Sequence, residues 1–191
     1  MSPAESLSER LDFHQPFDLQ PYLVGDLVEL RPLQPNDWDT LFAVASDPLM
    51  WEQHPANDRY QENVFREFFQ EALGSGGAFV VIDRKTRETI GSTRYFRFDP
   101  VKHEVEIGWT FLARSHWGGQ YNREMKRLML DHAFKFVKSV LFIIGSTNFR
   151  SQRAVEKIGA VRVGQRTTTN PEEEVVEQLV YQIKRPTIAP T

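Results

Sequence analysis

The stretch Trp117-Gly118-Gly119-Gln120-Tyr121-Asn122 sets two glycines directly before an amphipathic run. Met125, Leu128, Met129, Ala133, Phe136 and Val137 mark one face of that run and predict a helix from about Tyr121. The first amides of a helix have no intrahelical acceptor, and the aligned peptide dipoles add partial positive charge, so anions bind there. Gly118 and Gly119 let such a backbone come close to a ligand. The chemistry on offer is diphosphate binding. Amides from Gly118 to Asn122 collect the oxygens, Arg114 adds charge, the Asn122 side chain adds a contact, and a strand ending near Leu112 lines the approach. The same residues also read as a tight strand-to-helix connection with Trp117 packed in the core, and two glycines alone do not decide. There is no G-x-x-x-x-G-K-[ST], and no G-x-G-x-x-G opens a parallel unit near the N-terminus. A nucleotide triphosphatase or a dinucleotide-dependent dehydrogenase is therefore disfavoured.

The elements that must position this segment are legible in the hydrophobic pattern. "LVELRPL" from Leu27 alternates like a strand, and "PNDWDTLFAVAS" follows as a helix with Asp37 as its expected cap. In "ENVFREFFQEALGSGG", Val64, Phe65, Phe68, Phe69, Ala72 and Leu73 form one buried helix face, stopped by Gly74 and Gly76. "AFVVID", "ETIGSTRYFRF" and "HEVEIGWTFL" predict a three-strand antiparallel meander. The helix after the glycines leads to "SVLFIIGST", a strand apolar on both faces, and then to a short helix, "NFRSQRAVEKIG", with Asn148 placed to cap it and Gly159 to end it. Strands near Ala160 to Arg166 and Val175 to Ile183 flank the turn "TTTNPEEE". The fold class is α+β: a mixed, mostly antiparallel sheet of about seven strands with about four helices on both faces and a crossover helix joining a parallel pair.

Residues 1–20 read as an extended N-terminal arm, anchored by Phe13 and Phe17, and residues 21–191 as a single domain. With 23 basic and 26 acidic residues, the formal charge of −3 argues against nucleic acid and anionic membrane as partners. The absence of cysteine removes disulfides, thiolate metal sites and a cysteine nucleophile. No secretion signal and no run of about 18 apolar residues is present, so the expectation is a soluble, cytoplasmic protein.

Three segments, "VELRPLQPNDWDTLF", "EIGWTFLARSHWGGQYNREMKRLMLDHAF" and "GSTNFRSQRAVEKIGAVRVG", agree in order and spacing with one family. Over residues 25–183 the chain resembles the GNAT acyltransferases, in particular the branch of the ribosomal-protein N-acetyltransferases. The resemblance implies a splayed central parallel pair and acetyl-CoA as cosubstrate, with no metal. It implies that main-chain groups near Thr110, Phe111 and Leu112 bind the pantetheine arm, and that the loop of Arg114, Trp117, Gly118, Gly119, Gln120, Tyr121 and Asn122 takes the diphosphate. Against the family's R/Q-x-x-G-x-G/A pattern, Ser115 stands at the first position and Gln120 at the last. Asn148 is implied as a pantetheine contact, a role it could combine with capping, and Ser151 and Arg153 as neighbours of the thiol or nucleotide.

Acetyl transfer to an amine needs a base, an oxyanion donor and a proton source for the leaving thiolate. The family's use of a carboxylate on this strand makes Glu106 the first candidate base, with Glu104 two residues away; burial would raise its pKa usefully. The family's tyrosine acid has no counterpart in "NFRSQRAVEKIG", which leaves Ser151 or a water as hydrogen-bond donor to the thiolate. His103 and His116 are weaker candidates. Trp51, His54, Tyr60 and Glu52 could wall the acceptor site or simply pack.

The function implied is an N-acetyltransferase working by direct attack in a ternary complex. Its acceptor would be a small-molecule amine or a protein N-terminus. The alternative is a catalytically silent acyl-CoA sensor or partner-binding domain, suggested by Gln120 and the missing tyrosine. The aromatic N-terminal arm could pack on a second subunit to give a homodimer.

Overall fold

The computed structural model describes residues 16–169 and 175–186. A two-residue strand, β1 (Leu23–Val24), turns through Gly25 into β2 (Val28–Pro32). A single-turn helix at Pro35–Asp37 runs into α1 (Trp38–Ala45), and α2 (Glu62–Gly74) follows a long connection. The meander is β3 (Ala78–Asp83), β4 (Thr89–Asp99) and β5 (Glu104–Leu112). Then come α3 (Gln120–Ala133), β6 (Ser139–Gly145), α4 (Phe149–Glu156), β7 (Val161–Thr169) and β8 (Val175–Lys184). All eight strands join one sheet in the order β1-β2-β3-β4-β5-β6-β8-β7. Every pairing is antiparallel except β5 with β6.

The sheet divides the core in two. On one face α3 and α4 bury Met125, Met129, Ala133 and Val155 against Val28, Phe79, Tyr95, Ile107 and Phe142. On the other, α1 and α2 bury Leu41, Ala45, Phe65, Phe68 and Phe69 against Val80, Ile82 and Phe111. Phe65 and Phe79 are fully buried, and each such side chain contributes about 1.5–3 kcal/mol. Phe17 belongs to the α3 face, ringed by Tyr95, Phe98, His132 and Phe136, so this part of the expected arm is core. Phe13 and the segment 170–174 of the acidic turn lie outside the described residues. Glu124 ties α3 to the sheet edge by accepting from the amides of Asp26, Leu27 and Val28 at 2.7–2.9 Å. A Cβ on Gly25 would sit 2.5 Å from that carboxylate, so any larger residue would push the Glu124 carboxylate out of its present place.

Several expectations change. Asp37 does not cap α1 with its side chain; its carboxylate instead binds the Gln34 amide and the Arg31 guanidinium, closing the turn before the helix. Phe136 and Val137 lie beyond the end of α3 at Ala133, although Val137 is still buried.

The feature that shapes the site is a seam. β5 and β6 pair only at Glu104 with Ser139, Val105 with Val140 and Glu106 with Leu141; beyond these the two strands part. Opposite β4, strand β5 carries one extra residue between Gly108 and Phe111, and Trp109 there adopts a left-handed φ of 51°. Such a bulge bends and over-twists its strand, which turns the second half of β5 away from β6.

Candidate active site

The end of β5 leads through a turn at Arg114–His116 to Gly118, whose φ of 69° favours glycine, and then to α3. Gly119 is the N-cap and no side chain caps this helix. Nothing lies within 4 Å of a Cβ built on Gly118, and only the Trp117 carbonyl, at 3.9 Å, on Gly119. No side chain or loop carbonyl among the described residues accepts from the amides of Gln120, Tyr121 and Asn122, which leaves them available as diphosphate binding requires.

Side chains hold the loop from behind. The Tyr121 hydroxyl donates to Asp83 Oδ2 at 2.9 Å, His116 Nε2 lies 3.3 Å from the same oxygen, and Ser115 Oγ is 2.9 Å from His116 Nδ1. Burial opposes the Asp83 charge, but the Thr86 and Lys85 amides, Tyr121 and His116 outweigh it and hold the carboxyl below its usual range. His116 therefore anchors the loop and does not face an acceptor. Arg114 is ion-paired with Asp47 on the α1 side. Trp117 Nε1 donates to the Leu112 carbonyl, and Arg150 of α4 stacks on its ring at 4.0 Å while donating to the Met50 carbonyl. Arg150, unnoticed in the sequence, is thus the α4 cation beside the loop, whereas Arg153 is exposed.

Along the seam, Phe111 and Leu112 are buried and leave main-chain groups as their polar contribution. The Thr110 hydroxyl turns to the α3 face, where it meets Thr93 Oγ1 at 2.8 Å and accepts from Lys126 Nζ at 2.6 Å. Lys126 is almost fully buried and burial lowers its pKa to about 7. Across the seam, Asn148 caps α4: its Oδ1 accepts from the Ser151 amide at 3.1 Å. No described residue accepts from its Nδ2, so the capping amide leaves its donors unspent. Ser151 Oγ, one turn on, likewise has no partner among the described residues.

Glu106 and Glu104 separate clearly. Glu104 Oε1 accepts from Ser139 Oγ and Gln182 Nε2, so its charge is spent on the sheet. Glu106 is 6% exposed and has one looser neighbour, Arg97 Nη1 at 3.6 Å. Burial raises its pKa, with Arg97 and Arg166 offsetting part of the rise. It lies on the α2 face, its Oε1 3.6 Å from the position of a Cβ on Gly108. A buried carboxylate beside a bare glycine, at the point where the two strands part, suits a general base.

Among the predicted acceptor residues, Trp51 is core, its Nε1 donating to the Ala45 carbonyl, while Glu52 and Tyr60 are exposed. Burial foremost, with Arg59 adding to it, pulls His54 down to about 3, so it is neutral. Two open depressions flank the arrangement. One is lined by residues including Glu52, Asp58 and Tyr60, the other lies between α1 and the Arg114–His116 turn, and neither contains Glu106. Among the described residues no three His, Cys, Asp or Glu are grouped to hold a metal, and no helix is long and apolar enough to cross a membrane.

The family model described as "Acetyltransferase (GNAT) domain" matches residues 28–161, more than half of the chain. The chain belongs to the GNAT acetyltransferases. Solved structures agree with this GNAT fold. A T. thermophilus protein assigned as an acetyltransferase is 27% identical, with a TM-score of 0.70 over 85% of this chain and 88% of its own. Mycobacterium smegmatis RimJ, solved with CoA-disulfide, is 17% identical, with a TM-score of 0.64 over 82% and 81%. The Microcin C7 self-immunity acetyltransferase MccE, solved with acetyl-CoA and AMP, is 11% identical, with a TM-score of 0.71 over 88% and 99%. At such identity the last two share the fold alone. No curated protein sequence matches the chain significantly.

Proposed function

We propose that this GNAT protein is an N-acetyltransferase that moves acetyl from acetyl-CoA to a primary amine by direct attack in a ternary complex. One observation carries the reading: β5 leaves β6 immediately after Glu106, and the uncapped amides of α3 stand at the open end of the gap. The residues present fit the cosubstrate. The α3 amides and the glycine loop suit a diphosphate, and Arg150 and Arg153 supply positive charge on α4. The main chain of Thr110, Phe111 and Leu112, with Asn148 Nδ2 opposite, suits the amide-bearing arm. Acetyl-CoA supplies an acyl group already activated as a thioester.

The chain's own residues do the rest. Glu106, whose proton affinity is raised by burial, takes a proton from the bound ammonium to free the nucleophilic amine, or from the nitrogen as it attacks the thioester carbon. The Ser151 hydroxyl donates a hydrogen bond to the departing sulfur. That a neighbour of the same fold is solved with acetyl-CoA supports acetyl-CoA as the cosubstrate.

Acetyl-CoA at about 100 times its Kd should add about 2.7 kcal/mol of stability, a rise of roughly 5–10 °C in Tm for a chain of this size. Thiol release is then followed across a panel of amines. Stabilisation together with release supports the reading. Stabilisation without release from any amine favours a silent acyl-CoA sensor, and no stabilisation rejects both.

A further inference from the structure

The α2 face of the sheet holds a buried cation that has no hydrogen-bonded anion among the described residues. Arg94 lies in β4 opposite Gly108 and is 3% exposed; its Nε and Nη2 are buried without a hydrogen-bond partner among the described residues. Those two N–H groups form the parallel edge of the guanidinium, the fork that meets a carboxylate or phosphate with two bonds. Its surroundings are aromatic: Cζ lies 5.5 Å from the Phe68 ring and 4.9 Å from the Trp109 ring. Ring faces ease the burial of the charge but accept none of those bonds well.

A second cation stands beside it. Arg59 places its Cζ 4.6 Å from the same Phe68 ring. Its Nη1 is 3.2 Å from His54 Nε2, but the Ala56 amide donates to His54 Nδ1. The ring, neutral under its burial, supplies no negative charge to balance Arg59. Burial pulls both guanidinium groups down to about 10, partly offset through space by Glu71, and Arg94 adds to the effect on Arg59. Two cations sharing one ring, without a bonded anion among the described residues, are costly unless a ligand completes them.

Their position gives the cost a purpose. Arg94, Gly108 and Glu106 share one face of the sheet, with the bare Gly108 between guanidinium and carboxylate. Resting on the acetyltransferase reading, we infer that the acceptor is a small primary amine bearing a carboxylate or phosphate at its other end. That oxyanion docks on the Arg94 fork with Arg59 beside it, which aims the amine across Gly108 at Glu106. The Trp109 ring, partly exposed and on left-handed backbone, covers the fork and turns aside as the anion arrives.

The test measures thiol release from acetyl-CoA with matched amines: 5-aminopentanoate, 3-aminopropyl phosphate, pentylamine and 1,5-diaminopentane. An anionic amine should exceed both others at least tenfold in kcat/KM, and the better of the two anionic compounds identifies the oxyanion. Arg94→Met should lower that value roughly 10- to 100-fold, chiefly through KM, and erase the preference. Its Tm should be equal or higher, since an apolar side chain replaces an orphaned buried cation. Arg94→Lys should recover part of the loss.

Preference for pentylamine or the diamine, or a preference for anionic amines that survives Arg94→Met, overturns the inference and leaves acetyl transfer standing. If no amine in the panel reacts, glutarate and inorganic phosphate are titrated in the presence of CoA. A tryptophan fluorescence change present in the native chain and lost in Arg94→Met supports the site; its absence overturns it. Failure of acetyl-CoA to stabilise the protein removes the underlying reading and this inference together.

Discussion

Two buried cations lie on opposite faces of the sheet beside the Trp109 bulge, and their surroundings differ. On the α3 face, Lys126 donates to Thr110 Oγ1 and Thr93 Oγ1, and burial lowers its pKa to about 7. On the α2 face, Arg94 Nε and Nη2 have no hydrogen-bond partner among the described residues, and Glu106 nearby has only a loose ion pair. A face that satisfies its own polar groups is scaffold; a face that leaves a base and a guanidinium unspent is where a substrate has something to gain. On the proposed reading, the contrast assigns the chemistry to the α2 side.

The sharpest way to break it is a pair of substitutions. Glu106→Gln should lower kcat/KM by about 10²- to 10⁴-fold, the usual worth of a general base, whereas Lys126→Met should stay within roughly threefold of the native rate. The reverse result would move the chemistry to the α3 face. The native pH–rate profile adds a check. Glu106 must be ionised to accept a proton, and burial raises its pKa, so the acid limb of kcat/KM should fall above the ordinary glutamate range, and Glu106→Gln should remove that limb.

Lys126 gives the next largest effect, on stability. Its folded pKa of about 7 lies below the ordinary 10.5. Between those values the unfolded chain binds the extra proton, so this group makes stability rise as pH increases from about 7 towards 10.5. Urea titrations of Lys126→Met across that range should show the rise flattened, with the greatest gain over the native chain at and below pH 7.

Smaller effects sharpen the loop. Gly118→Ala places a side chain at φ 69° and should cost about 1 kcal/mol while raising KM for acetyl-CoA. Smallest is the Asn148 comparison. Asn148→Ala should lose about 1 kcal/mol as a cap, whereas Asn148→Asp keeps the cap and removes the Nδ2 donors. A rise in KM for acetyl-CoA in both variants assigns the asparagine a ligand contact as well as a capping role.

Much of the frame was legible because it is periodic. The apolar faces of α2 and α3 recur at helical spacing, and the meander is marked by β-branched runs between polar turns. The two residues of β1 are too few to carry a period. The bulges were hidden for another reason: Trp109 and Arg97 take positive φ although neither is glycine, and only the pairing offset between β4 and β5 imposes it. The glycine loop and Glu106 could be named from motif resemblance. Arg94 and Lys126 could not, because a charged residue in an alternating strand or on a helix face is ordinarily solvated. The one clue was their position on the inward side of amphipathic elements. Asp37 shows the limit of a local rule: a capping residue in the right place was claimed by the nearby Arg31.

The parting of β5 from β6 leaves the sheet as two panels, β1 to β5 and β6 to β8, fastened at one end by three register pairs. An extended ligand arm with amide groups, laid in the gap, would serve as the missing rung between them. Amide hydrogen exchange in the second half of β5 and at the end of β6 should then slow together when the cosubstrate binds, because the same guest zips both panels into one continuous surface.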